Sequence, residues 1–139
     1  MEKHEIEAEQ KFQIKGLKIL STYDVYNMIV SALEGGSNYW YFITDESVKA
    51  IYNSTSELIG EPFVDRMLIA IKKGIEVEIK DIESGEFLGR LTSKSWAKAE
   101  ELMLKNHKKH LGNILLGDDD AITADVFFQL AVIGELTYG

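Results

Sequence analysis

The sequence predicts an α+β domain in which a small antiparallel sheet, including a hairpin at about 75–91, packs against amphipathic helices. Three observations carry that reading. IEVEIK at 75–80 alternates apolar and charged residues with the period of a half-buried strand, and FLGRL at 87–91 returns after the turn DIESGE. Several other segments repeat apolar residues at helical spacing between capping residues and glycines. A length of 139 residues with 45% apolar and 27% charged residues fits one domain, 1–139, around one core.

Taken in order, residues 1–10 alternate charge with little to bury and are expected to fray. FQIKGLKIL from Phe12 predicts a strand with a bulge at Gly16. Ser21 or Thr22 then caps a helix with Val25, Met28, Ile29, Ala32 and Leu33 on one face. Gly35 stands where a left-handed residue would stop it; that role leaves Gly36 unexplained. SNYWYFIT reads as a strand from its aromatics, ESVKAIY as a helix capped by Asp45, and NSTSELIG as a loop. Pro62 opens a helix with Phe63, Met67, Ala70 and Ile71 as its stripe, ended by Gly74. After the hairpin, whose turn needs a left-handed residue at Gly85, Thr92 or Ser93 caps a helix carrying Trp96, Ala99 and Met103. NHKKHLGNILLG reads as a basic linker before a short apolar stretch. Asp119 or Asp120 then caps a last helix with Ala121, Ala124, Phe128, Ala131 and Val132 at helical spacing, ended by Gly134.

The composition narrows the function classes. Without cysteine there is neither a disulfide nor a thiolate metal site. A net charge of −8 opposes extended contact with nucleic-acid phosphates, and no Lys or Arg interleaves the aromatics between 25 and 48. No apolar run is long enough to span a bilayer, and the charged start MEKHEIEAEQKF lacks a secretory core, so a cytoplasmic protein is expected. His107 and His110 are three apart, but no carboxylate stands beside them at ligand spacing and two lysines lie between them. A solvated basic loop is the favoured reading, with no metal and no cofactor. No ordered nucleophile–base–acid set or phosphate loop stands out, so no catalytic residue is assigned.

Two constellations remain. Gly35, Gly36, Asn38, Tyr39 and Trp40 can rim a pocket in which bare backbone approaches a ligand, Asn38 hydrogen-bonds it and Trp40 stacks on it. They can equally form a helix stop followed by a core strand. Asp125 and Gln129, at i and i+4 on the last helix with Asp120 and Glu135 at its ends, can read that ligand or satisfy each other and the backbone. In each case the purely structural alternative is favoured. Val126 and Phe127 widen the apolar circumference of the last helix beyond one core face, which predicts a homodimer.

ALEGGSNYW after a capped helix, the hairpin IEVEIKDIESGEFLGRLT running into a helix, and the closing DAITADVFFQLAVIGELTYG together resemble a family of small phage and prophage proteins. That family carries a TALEGG-x-NYW core, a GG-x-L-x-L strand before the hairpin, and a DA-x-x-AD-x-x-x-QYALFGE segment ending in YG. The resemblance covers most of the chain beyond about residue 20, with departures at Lys73-Gly74 and at Leu130–Gly134. It implies an origin and a shared fold, and no reaction. By analogy with accessory phage proteins of this size, the expectation is non-enzymatic binding: counter-defence by sequestering a small nucleotide-like host signal. The alternatives are an acidic inhibitor that blocks a nucleic-acid-binding host protein, and, behind it, a hydrolase.

Overall fold

The computed structural model describes residues 2–139 as seven helices and a three-stranded antiparallel sheet, the α+β arrangement expected. The helices are α1 (Lys3–Phe12), α2 (Thr22–Ser31), α3 (Asp45–Ser54), α4 (Phe63–Lys72), α5 (Ser95–Asn106), α6 (Lys108–Leu116) and α7 (Ala121–Val132). The sheet runs β1 (Tyr41–Ile43), β2 (Val77–Asp81), β3 (Phe87–Leu91), with β2 in the middle.

The hairpin follows its pattern. Val77 pairs with Leu91 and Ile79 with Gly89; Val77, Ile79 and Leu91 are buried, and a bulge falls between Ile79 and Lys80. Tyr41 pairs with Asp81 and Ile43 with Ile79, which puts the aromatic segment on the sheet as its short edge strand. Ser21 caps α2 in a reciprocal box with Asp24, each side chain bonding the other residue's N–H at 3.0 Å. Thr44 rather than Asp45 caps α3, accepting from the Ser47 N–H, because the backbone is still extended at Thr44. The start of α5 slips to Ser95, as Thr92 spends its hydroxyl on the Lys94 N–H in a turn ahead of the helix.

The centre of the molecule is α7. Every residue from Thr123 to Val132 is buried, because α2, α5, α6, β3 and the turn after α2 all pack on it. Val126 and Phe127 are therefore covered inside a single chain, Phe127 by stacking on Trp96 at 6.5 Å between ring centroids. The surface on which a second copy was expected is not free. An all-round apolar helix is the mark of a central helix as much as of an interface, and periodicity does not separate the two.

Three local expectations are corrected. Residues 3–12 are helical, not frayed: Ala8 and Phe12 are buried, Phe12 stacks on Tyr26 at 4.9 Å, and the Lys11 ammonium lies 2.6 Å from Asp65. Tertiary packing of two apolar anchors supplies what local sequence does not. Residues 13–20 form no strand; α1 ends at Phe12 and the segment that follows is irregular. Its backbone is held instead by Glu100 of α5, whose buried carboxylate accepts the N–H groups of Lys18, Ile19 and Leu20 at 2.6–2.9 Å. The basic linker is helix α6, with Leu111 and Ile114 buried and His110 Nδ1 2.9 Å from the Thr123 hydroxyl.

The paired glycines also exchange roles. Gly35 has φ 171°, extended rather than left-handed, and a Cβ there meets open space. At Gly36 a Cβ would stand 2.8 Å from the Ala121 carbonyl oxygen and 3.3 Å from that of Ser31, because the wide π-type turn Ala32–Gly36 presses on the start of α7. Close backbone approach, not helix termination, requires the glycine. Gly36→Ala should destabilise the protein by about 1–3 kcal/mol, the usual range for overpacking, whereas Gly35→Ala should stay within about 0.5 kcal/mol of wild type. Urea denaturation of the two variants distinguishes them; the reverse order would show that the turn, not the contact with α7, sets the constraint.

Candidate functional site

The two sequence motifs do converge, and they converge on one carboxylate. Asp125, 9% exposed, is carried by α7 one turn from its N-terminus. Its Oδ1 accepts from the Ser37 hydroxyl at 2.7 Å and the Trp40 indole N–H at 2.8 Å; its Oδ2 accepts from the Tyr39 hydroxyl at 2.6 Å and the Gln129 amide at 3.1 Å. Gln129 is similarly spent. Its other contacts run to the Tyr138 carbonyl and to the N–H groups of Thr137 and Tyr138, so it ties down the tail after α7.

This geometry sorts the predicted site residues. Asp125, Gln129, Tyr39 and Trp40 come together, and Gly36 lies beside them. Trp40 is 1% exposed and packs on Phe128, Tyr41 and Tyr138, so it is core and offers no wall to a ligand. Asn38 is exposed and points to no partner in this cluster; Gly35 faces solvent. Ser37 and Tyr138, which complete the network, were not singled out in the sequence. Ser37 has no periodic signal, and Tyr138 stands in a tail whose path only packing defines.

The ionisation of the cluster follows its bonding. Desolvation and the bond to Asp125 push the Tyr39 hydroxyl up to about 12. The Tyr138 hydroxyl donates to Asp81 of the hairpin, and that bond, with the N–H groups of Ser84 and Glu83, lowers the Asp81 carboxyl to about 2.

Two cavities open on the surface. The smaller, about 410 Å³, lies beside the Asp125 network and is bordered by Gly36, Tyr39, His110, Ile122, Leu136 and Tyr138. The larger, about 560 Å³, is a groove between the irregular segment after α1, helix α4 and the start of α5. Phe12, Ile14, Leu68, Ile71 and Trp96 make its apolar floor, and Lys15, Lys72 and Lys94 stand at its edge with Gln13 and Ser93. Among the described residues none of those three lysines is ion-paired. Nothing local in the sequence announces this groove. Its lysines sit on three separate elements, and Trp96 reads as an ordinary helix-stripe residue.

Comparison of the chain with protein-family models, with curated proteins and with solved structures finds no match. The chemistry of these two cavities therefore carries the functional reading.

Asp125→Asn keeps the shape but turns an acceptor of four bonds into a group that must donate two. It should cost about 2–3 kcal/mol in urea denaturation, as expected when bonds to a buried charge are lost and donors are left facing donors. A loss below about 0.5 kcal/mol would show that the network does not hold the fold. For Asp81 the folded-state value lies below the ordinary 3.8, so its contribution to stability is fully present above that pH and disappears as pH falls through about 2. Asp81→Asn should therefore flatten the acid limb of the stability profile in that window, measured by thermal melts at successive pH values.

Proposed function

We propose that the protein is a non-enzymatic binding protein that captures a small nucleotide-like anion in the groove between α1, α4 and α5. The observation that supports this most directly is the pairing of an apolar floor with three unpaired lysines, in a chain whose net charge is −8. A protein with that overall charge repels anions, so a local cluster of free cations beside apolar surface is the feature an anionic ligand requires. Half-buried Ile14 and Ala97, backed by the buried Phe12, Ile71 and Trp96, would cover a flat apolar moiety such as a base. Lys15, Lys72 and Lys94 would meet phosphate oxygens, and the Gln13 amide and Ser93 hydroxyl would supply orienting hydrogen bonds.

The arrangement of the motif residues supports binding over reaction. Asp125 and Gln129, the polar groups at the convergence of the two motifs, have their bonding capacity committed to neighbours. A general acid or base needs a free lone pair or proton aimed at a substrate. The resemblance to phage and prophage accessory proteins supplies the setting: sequestration of a host signal nucleotide as counter-defence. The groove needs residues from one chain alone, so capture proceeds without the homodimer expected from the sequence.

The site also differs from the one predicted. Tyr39, Trp40, Asp125 and Gln129 form the hydrogen-bonded network, Gly36 packs on the start of α7, and Gly35 and Asn38 are exposed; none of them borders this groove, where the ligand contacts would fall to residues 12–16, 68–72 and 93–97.

Calorimetric titration with a panel of linear and cyclic nucleotides tests this. At least one should bind. Each single substitution among Lys15→Ala, Lys72→Ala and Lys94→Ala should weaken binding about two- to fivefold, as expected for an exposed ion pair, and the triple variant should weaken it more than tenfold. Binding that persists in the folded triple variant, or no binding by any nucleotide, would overturn the proposal.

A further inference from the structure

The smaller cavity beside the Asp125 network has the opposite chemistry. No lysine or arginine borders it, and its one basic group, His110, engages the Thr123 hydroxyl through Nδ1. Asp125 lies at its base, Asp120 caps α7 next to the bordering Ala121, and Glu135 adjoins the bordering Leu136. The Tyr39 hydroxyl donates to Asp125, while the Tyr138 hydroxyl donates to Asp81 of the hairpin, outside the cavity's border. With its proton directed to Asp125, the Tyr39 oxygen can accept but not donate towards the cavity it borders. The lip is apolar and open: Ile122 is 68% exposed, and Leu136 is exposed beside it.

We propose that this cavity is a docking site for a basic segment of a partner protein, into which an arginine or lysine side chain inserts. The alkyl stem of such a residue would lie on Ile122 and Leu136, and its charged head would reach the Tyr39 oxygen and the negative field of Asp125, Asp120 and Glu135. A small apolar ligand would leave the acceptors unused, and an anion would be repelled. A second copy of this chain, itself at −8, brings the same negative field to the contact. A basic protein segment satisfies both the lip and the base. This inference rests on different residues from the groove and stands or falls separately from it.

The test is calorimetric titration with a short amidated peptide of arginine, leucine and alanine, and with its glutamate-for-arginine counterpart. The arginine peptide should bind, more weakly as salt is raised, and the glutamate peptide should not. Ile122→Lys places a cation on the lip and should weaken binding about tenfold or more. Ile59→Lys makes the same change of charge at an 86% exposed isoleucine that borders neither cavity, and should change binding less than about twofold. Both positions are exposed, and circular dichroism verifies that each variant is folded; Leu136→Lys repeats the test from the other side of the lip. Equal weakening by Ile122→Lys and Ile59→Lys would show diffuse attraction to an acidic protein and overturn the proposal. So would unchanged binding in both lip variants, or no binding of the arginine peptide to wild type.

Discussion

A single buried carboxylate organises this molecule. Asp125 sits within the first turns of the central helix, and its four partners come from the turn after α2, the entry to β1 and the next turn of α7. A charge withdrawn from water must recover its lost solvation from fixed donors, and three of the four here, Ser37, Tyr39 and Trp40, belong to a segment with little other regular structure. The demand of the charge therefore positions the segment from Ser37 to Trp40. Trp40, once placed, stacks on Tyr138 at 5.1 Å, and Tyr138 bonds to Asp81 in the hairpin. Helix, turn, tail and sheet are coupled through one oxygen-centred network.

The same economy appears elsewhere. Glu100 gathers three consecutive backbone N–H groups of the segment after α1, and the buried Arg66 guanidinium donates to the Thr55 hydroxyl and to the carbonyls of Tyr52 and Thr55 while lying over the Tyr52 ring. In each case a helix side chain with several bonding positions replaces the ladder that irregular chain lacks. Among the described residues no buried side-chain nitrogen or oxygen is left without a partner. Glu100 holds residues 18–20, which follow directly on the 12–16 wall of the lysine-edged groove, and within that wall the Ile14 N–H donates to the Thr22 hydroxyl at 3.2 Å.

The two cavities divide the chemistry of an acidic protein. One collects free cations over apolar side chains contributed by α1, α4 and α5; the other collects acceptors and acids beneath an apolar lip near the start of α7. They share no bordering residue. The proposed capture of a small anion at one and of a basic segment at the other would join the two readings that composition alone leaves as competitors.

The amino-acid sequence by itself determined the elements whose signals are local. The hairpin followed from strict alternation, α2 from its cap and stripe, α4 from Pro62 and its stripe, and the start of α7 from the Asp120 cap. These depend on neighbours within a turn or a strand, where periodicity and capping are sufficient. Tertiary structure decided the rest. It made a helix of residues 3–12 by burying Ala8 and Phe12, made α6 from a basic stretch by burying Leu111 and Ile114, and covered Val126 and Phe127 of α7 within the chain's own core. It also decided the site. Gly36, Tyr39, Trp40, Asp125 and Gln129 stand out in the sequence as two constellations, but a polar residue looks the same in sequence whether its bonds are spent on the chain or kept for a ligand. That distinction depends on which segments meet, and so does a groove whose lysines come from three elements.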